Sequence, residues 1–217
     1  MDRARPIRTA ALAGIVGPVV FLVVAFASAL LRPDVIRAQG WVSWPSSLAL
    51  GGRPGIPQIA AFLVLAASYP IFALGAVRPA LGDGMAWGGF LGIAVGDALL
   101  AAPTDGVGRE PTWLGAAHLV GVLIATGASL VAAAGVTRAT LGDPAWSVWR
   151  RVGFPAIVIA TVVGAVAGFT TGWAKVVYVL GITLPVPLVA ILLRRGRTPR
   201  RSATPGNDGP PSTRRPE

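Results

Sequence analysis

The sequence predicts an all-α, polytopic membrane protein built as a bundle of six transmembrane helices. Of its 217 residues, 53% are hydrophobic and only 13% are charged, whereas a soluble domain carries roughly 25% charged residues. The apolar residues gather in six runs of membrane-spanning length, and lysine and arginine gather in alternate connections between those runs. Together these three observations predict a chain that is surrounded by lipid.

Each apolar run is long enough to cross a hydrocarbon core, which takes about 20 helical residues. Backbone amides in lipid must bond within their own segment, and the lack of period-two alternation disfavours a transmembrane barrel. We therefore expect a transmembrane domain over residues 1–193 and a separate tail after it. The predicted helices are 9–31, 56–77, 85–102, 112–136, 152–172 and 176–193.

The first span has two interpretations. It carries no charged residue, which predicts a helix that stays in the membrane. Alternatively, the arginines before it and the sequence Ala27-Ser28-Ala29 resemble a signal peptide, whose cleavage would leave five spans. Prolines inside later spans predict kinks, since neighbouring helices can bond the carbonyls that proline leaves free. These prolines are Pro70, Pro155, Pro185 and Pro187.

The distribution of positive charge predicts the orientation, because cytoplasmic loops carry an excess of Lys and Arg. With the N-terminus inside, the inner segments hold fourteen of these residues and the outer segments hold five, Lys175 among them. Both termini are then cytoplasmic. Tryptophan prefers the headgroup level, and every tryptophan falls at a predicted boundary. The outer boundaries hold Trp41, Trp44, Trp113 and Trp173, and the inner ones hold Trp87, Trp146 and Trp149.

The tail, residues 194–217, is rich in Arg, Pro, Ser and Gly and carries seven of the 19 basic residues. It has too few apolar side chains to offset the entropy of ordering, so we expect it to be disordered. Its basic start is expected to contact anionic lipid headgroups. The other positive charges flank the spans, so the net charge of +10 reflects topology and predicts no nucleic-acid partner.

Small residues at every fourth position predict close helix packing, since helices in lipid associate through backbone approach. The third, fourth and fifth spans carry such stripes, and we expect these spans near the middle of the bundle. Alternatively, some of these stripes arise by chance, because Gly and Ala are abundant in this chain. The stripe of the fifth span is the one that chance explains least well. The stripes are Gly88, Gly92 and Gly96; Ala117, Gly121, Ala125, Ser129 and Ala133; and Ala156, Ala160, Gly164, Gly168 and Gly172.

One polar constellation stands out. Asp97 is the only acidic residue inside a predicted span, and His118 is the only histidine. They lie about 7.5 Å and about 9 Å below the same outer surface, on spans joined by the short loop that contains Asp105. A carboxylate at mid-bilayer costs roughly 2.5 to 3.5 kcal/mol, so Asp97 is expected to face the interior. The sequence therefore predicts an outward-facing polar pocket around Asp97, Asp105 and His118.

Several classes of chemistry are disfavoured. One histidine and no cysteine cannot supply bis-histidine haem ligation or a cysteine-ligated metal. A zinc site would need His118 with Asp97 and Asp105, and no ligand spacing supports one. The chain has no Gly-Lys-Ser/Thr phosphate loop and no Gly-x-Ser-x-Gly nucleophile turn. We therefore expect no cofactor and no resident metal.

The longest connection, residues 32–55, contains the segments Trp41-Val-Ser-Trp44-Pro and Ser46-Ser-Leu-Ala-Leu-Gly51. Both are too apolar for a free loop. We expect this connection either to lie along the membrane interface, the favoured interpretation, or to cap the bundle over Asp97 and His118.

Three short motifs lie along the chain: Ala13-Gly-Ile-Val-Gly-Pro18; Ser47-Leu-Ala-Leu-Gly51 with Pro57-Gln58; and Pro103-Thr-Asp105 followed by Thr112-x-x-Gly115-x-x-His118. With these motifs the chain resembles, over residues 9–193, a bacterial membrane family known as domain of unknown function 998. The resemblance implies a six-helix integral membrane protein without an established activity. It draws attention to Asp105 and His118. The family pattern often places a further histidine where this chain has Leu114, which counts against a two-histidine site.

Three functions stay open as expectations. The first is an integral membrane protein of unestablished role, non-enzymatic, with the outward-facing polar pocket. The second is a carrier for a small solute or for protons, since an Asp and a His at one depth can exchange protons; the lack of charge in the first, fifth and sixth spans weighs against it. The third is an outer-face hydrolase that uses the same residues. A purely structural Asp97–His118 hydrogen bond competes with all three.

Overall fold

The computed structural model describes residues 4–105, 110–167 and 170–196. Within these ranges its regular elements are all helical, which confirms the all-α prediction. The α-helices are α1 (Ala4–Ala10), α2 (Ala13–Leu31), α3 (Pro33–Gln39), α4 (Ile56–Phe72), α5 (Arg78–Leu81), α6 (Gly84–Leu100), α7 (Trp113–Ala139), α8 (Phe154–Ala167), α9 (Gly172–Thr183) and α10 (Pro185–Arg194). Most of the predicted tail lies outside the described residues.

Five helical stretches among the described residues are long and apolar enough to cross a membrane, so the helices suit a multi-pass membrane protein. They are Arg5–Leu31, Arg53–Leu81, Trp113–Ala139, Pro144–Ala167 and Gly172–Arg194. The third predicted span corresponds to α6, an apolar helix of only 17 residues, about 25 Å long. Its start is set by Asp83, which accepts hydrogen bonds from the backbone amides of Met85 and Ala86. That α6 crosses the membrane, and with it the total of six spans, therefore stays a prediction.

Proline interrupts the helices near three of the predicted positions. After Pro70, α4 widens into a π-helical turn over Ala73–Val77 and then continues as α5. Another π-helical turn, Trp149–Gly153, comes just before Pro155, and α10 starts anew at Pro185. Proline lacks the N–H group that would continue the regular hydrogen-bond ladder, so the backbone changes its pattern nearby.

α6 and α7 pack against each other more extensively than any other pair of described elements. A Cβ atom added at Gly89 would lie 2.6 Å from the Cα of Ala132, and one at Gly96 would lie 2.6 Å from the amide nitrogen of Ala125. A side chain at either position would prevent this backbone approach. The contact stripe on α6 thus contains Gly89, whereas a Cβ at Gly88, the residue that the sequence placed in the stripe, would meet open space.

The prediction that the fifth span lies near the middle of the bundle is wrong. In the most apolar 18-residue stretch of the segment that contains α8, 22% of the residues are buried. In the corresponding stretch of the segment that contains α9 and α10, 50% are buried. Gly164 of the predicted stripe packs against Tyr178 of α9. Such a stripe indicates close approach to one neighbour, which a peripheral helix can have. Gly172 begins α9 and does not end the preceding span, and Gly168 lies outside the described residues.

Three of the seven tryptophans are core residues. Trp44 and Trp146 are completely buried, and Trp149 is 1% exposed. Trp113 and Trp173, by contrast, are 77% and 63% exposed. The rings of the first three therefore contact neighbouring parts of the protein, and their position at the membrane boundary stays a prediction. An indole ring near a helix end can bury its large apolar surface against neighbouring helices as well as among headgroups.

The connection over residues 32–55 folds against the end of the bundle. It consists of α3 and the 3₁₀ turns Trp41–Ser43, Ser46–Ala49 and Arg53–Gly55. The residues of the second turn are all buried. Arg32 holds this turn, because its Nη1 donates hydrogen bonds to the carbonyl oxygens of Leu48 at 3.2 Å and Leu50 at 2.7 Å. Of the two expectations for this connection, the structure supports the cap.

Candidate functional site

Asp97 lies in the last turns of α6, and its side chain is 5% exposed. It lines a cavity of about 50 Å³ together with Ser46, Lys175, Tyr178 and Thr183, which is room for about four water molecules. The carboxylate oxygen Oδ2 is buried and accepts no hydrogen bond from the residues that the structure describes. A buried oxygen of this kind normally has a hydrogen-bond partner. Because Oδ2 has none among the described residues, it can accept a hydrogen bond from a molecule in the cavity.

His118 lies in the second turn of α7 and is 5% exposed. Its Nδ1 is 2.8 Å from the carbonyl oxygen of Ala102, and its Nε2 is 2.7 Å from Oγ of Ser46. A carbonyl oxygen can only accept, so Nδ1 carries the proton in the neutral ring and Nε2 accepts from the Ser46 hydroxyl. The imidazole therefore ties the start of α7 to the end of α6 and to the buried 3₁₀ turn.

Asp105 belongs to the start of α7. Its Oδ1 accepts hydrogen bonds from the backbone amide of Thr112 at 3.1 Å and from the Thr112 hydroxyl. The Thr112 hydroxyl oxygen in turn accepts from the amide of Gly115 at 3.2 Å, which caps the helix. A Cβ atom at Gly115 would collide with the Asp105 carboxylate. The cap at the start of α7 is thus formed by Asp105, Thr112 and Gly115, and the buried His118 lies one helical turn after Gly115.

The structure does not bring the three predicted pocket residues together in one cluster. Both ring nitrogens of His118 bond groups other than Asp97, and Asp105 bonds Thr112. Ser46 is the link between two of the sites, since it bonds His118 and also lines the cavity that contains Asp97. In the described part of the chain, no three His, Asp or Glu side chains are placed to bind a metal ion.

Sequence reasoning missed four polar residues of the cavity, namely Ser46, Lys175, Tyr178 and Thr183. Lys175 was counted in an outer loop, but it lies inside α9, with its Nζ 5.4 Å from the centre of the Tyr178 ring. In the sequence, a single lysine near the end of a span cannot be told from a loop charge that signals orientation, which is why Lys175 was assigned to the loop. The Tyr178 hydroxyl forms a short hydrogen bond with the Thr126 hydroxyl of α7. Two polar residues at helical spacing in an apolar segment, Lys175 and Tyr178, were the available signal.

An apolar cleft of about 310 Å³ adjoins the cavity, between α7 and α8. The two spaces share Val122, Lys175 and Tyr178 in their linings. The outer wall of the cleft includes Leu123, which is 65% exposed, and a Cβ atom at Gly127 would meet nothing within 4 Å. An apolar body could therefore lie in the cleft while its polar end reaches the wall shared with the cavity.

No protein-family model, characterised protein or solved structure matches this chain. The likeness to domain of unknown function 998 therefore stays a prediction from the three motifs. By length and composition the helices are compatible with a multi-pass membrane protein, and the site is a small polar cavity beside an apolar cleft.

Proposed function

We propose that this chain is a six-span protein of the cell membrane that binds a small amphiphile in an outward-facing pocket and does not alter it chemically. The amphiphile has an apolar body and a hydrogen-bonding head. The observation that carries the proposal is the buried, unpartnered carboxylate oxygen of Asp97 in a cavity that adjoins the cleft between α7 and α8. The body occupies the cleft, and the head approaches Lys175, Tyr178 and Asp97.

The packing of α6 supports a sixth crossing. Close contacts between α6 and α7 run from Gly135 against Ala86 near one end to Gly121 against Leu100 near the other. Since α7 is long enough to cross the membrane, a helix that follows it over this distance occupies nearly the same depth. α6 is a few ångströms shorter than the hydrocarbon core of a bilayer, and local thinning of the bilayer can accommodate this difference.

The positions of the arginines support cytoplasmic termini. α1 contacts the end of α10 and the π-helical turn Ala73–Val77, so the basic residues near those elements share one end of the bundle. Asp83 and Arg138, whose ion pair measures 2.8 Å, join α6 to α7 at that end. Ser46 and His118 lie at the opposite end, which the excess of positive charge near α1 and α10 assigns to the outside.

The cleft provides a direct test with a matched pair of glycines. A photoreactive alkyl diazirine with a terminal amine is expected to label α7 and α8 in proteoliposomes, and Gly127→Leu is expected to reduce that labelling at least about tenfold by filling the cleft with apolar side-chain volume. Gly88→Leu is the control, since Gly88 also faces open space but lines no described pocket. Crosslinks are mapped by peptide mass spectrometry. Equal labelling of all three proteins would contradict a ligand in the cleft.

A second candidate function is an outer-face hydrolase, which the Ser46–His118 hydrogen bond favours. The Ser46 hydroxyl donates to Nε2, and the Ala102 carbonyl orients the ring through Nδ1, an arrangement that suits a serine nucleophile and its general base. Ser46 Oγ would attack an ester carbonyl while His118 takes its proton. His118 would return that proton to the leaving alkoxide, and water would then release the acid from the acyl-serine.

This hydrolase is tested by labelling with an alkyl fluorophosphonate. The reagent forms a covalent phosphonyl-serine and releases fluoride, so a reactive Ser46 gives a mass increase on its peptide. Labelling is expected to be lost in Ser46→Ala and to persist in Ser47→Ala, because Ser47 is buried without a hydrogen-bond partner and has no base beside it. An unlabelled wild-type protein under conditions that label a serine esterase would leave Ser46 with a structural role.

A further inference from the structure

A second pocket lies at the opposite end of the bundle from Asp97, where α1 meets the end of α10. It is an open concavity of about 310 Å³, lined by Arg5, Arg8, Thr9, Leu12 and Arg194. Three guanidinium groups, two from α1 and one from α10, therefore border the same space. Like charges gathered in this way repel one another unless an anion lies between them.

Several other arginines in the described part of the chain are held by groups of the protein. Arg138 forms the ion pair with Asp83, and Arg78 lies 5.6 Å from the centre of the Trp87 ring. Arg150 donates hydrogen bonds from Nη1 to two backbone carbonyl oxygens, at 2.8 Å and 3.0 Å. These side chains stabilise the bundle itself.

The arginines of the basic pocket differ from these in their surroundings. Among the described residues, no carboxylate lies within ion-pair distance of Arg5, Arg8 or Arg194. All three are exposed, and they belong to elements at opposite ends of the chain. The fold thus collects three guanidinium groups at one point, and the described residues provide no carboxylate to pair with them.

We propose that this pocket binds the phosphate group of an anionic phospholipid. Guanidinium groups bind phosphate oxygens through paired, charge-assisted hydrogen bonds. Leu12, which is 39% exposed, adds an apolar wall toward the body of the membrane, where the glycerol and acyl chains of a bound lipid lie. Basic pockets between transmembrane helices are a recurrent kind of lipid site.

The apolar wall distinguishes a phospholipid from free phosphate. Inorganic phosphate could use the three charges but would gain nothing from Leu12. The pocket shares only Arg194 with the predicted basic tail, because Arg5 and Arg8 belong to α1, far from the tail in sequence. A bound lipid would bridge α1 and α10 and so hold the two ends of the chain together.

The test is lipid binding by the purified full-length protein, followed by native mass spectrometry in a neutral detergent. Phosphatidylglycerol is expected to bind and phosphatidylcholine to bind far less. The triple variant R5Q/R8Q/R194Q is expected to bind phosphatidylglycerol about 100-fold more weakly, since each arginine near a membrane surface contributes roughly a fivefold factor. Arg194→Gln alone, which leaves the N-terminal charges intact, is expected to weaken binding about fivefold.

Arg151→Gln is the matched control, because Arg151 is an exposed arginine that does not line the pocket; it is expected to bind as the wild type does. Inorganic phosphate at millimolar concentration is expected to leave lipid binding unchanged, and displacement by it would reassign the pocket to free phosphate. Equal lipid binding by the triple variant and the wild type would overturn the proposal, because the tail or a diffuse charge would then carry the lipid.

Discussion

Gly89→Leu is expected to destabilise the bundle by about 3 kcal/mol or more, whereas Gly88→Leu, one residue away, is expected to change stability by less than about 0.5 kcal/mol. A Cβ at Gly89 would lie 2.6 Å and 2.7 Å from the Cα and Cβ of Ala132 on α7. Those atoms are backbone or fixed to it, so α7 itself must move. A Cβ at Gly88 would meet nothing within 4 Å.

The measurement is the free energy of unfolding in mixed micelles, with circular dichroism to follow helix content. The pair controls for helix propensity, since both variants replace glycine by leucine on the same helix. Equal stability of the two variants would mean that α6 and α7 are not in backbone contact. Because Gly96 and Ala125 belong to the same contact and Ala125 lines the Asp97 cavity, separation of the helices would also open the candidate site.

His118→Ala is expected to cost about 2 to 4 kcal/mol of stability, and Ser46→Ala about 1 kcal/mol. Loss of the imidazole leaves both the Ala102 carbonyl and the Ser46 hydroxyl without partners at a buried site. Loss of the serine hydroxyl removes one donor and leaves the bond to Ala102 in place. The two substitutions remove the same Ser46–His118 bond, so their effects are not additive, and the double variant is expected to resemble His118→Ala alone.

A double-mutant cycle on the free energy of unfolding measures this coupling. Ser47→Ala with His118→Ala forms the control cycle, in which the two effects are expected to add. Additive effects of Ser46→Ala and His118→Ala would show that the two side chains do not interact. If His118→Ala kept full stability while fluorophosphonate labelling of Ser46 disappeared, the hydrolase would become the stronger of the two candidate functions.

Much of the candidate site was visible in the sequence because its signals are local. Asp97 is an acidic residue in an apolar helix, and Asp105 and His118 belong to the motif that resembles domain of unknown function 998. What these residues contact was not visible. His118 bonds Ser46, which lies 72 residues away, and no periodicity in either segment records such a pairing. Depth alone matched His118 with Asp97, but the two side chains do not bond each other, and Asp97 lines the cavity together with Ser46.

The helices, and the expectation that they cross a membrane, followed from the sequence itself, because a backbone in lipid must satisfy its hydrogen bonds within each apolar run. Hydropathy and length then suffice, and the charge pattern adds an expected orientation. Only the tertiary structure decided which faces of those helices meet. In the structure Gly89, and not Gly88, contacts α7, and α8 lies at the periphery of the bundle. Trp44 is buried, and Lys175 lies in α9 and lines the cavity. Those choices depend on side-chain shape between segments far apart in the chain, where neither hydropathy nor spacing carries the information.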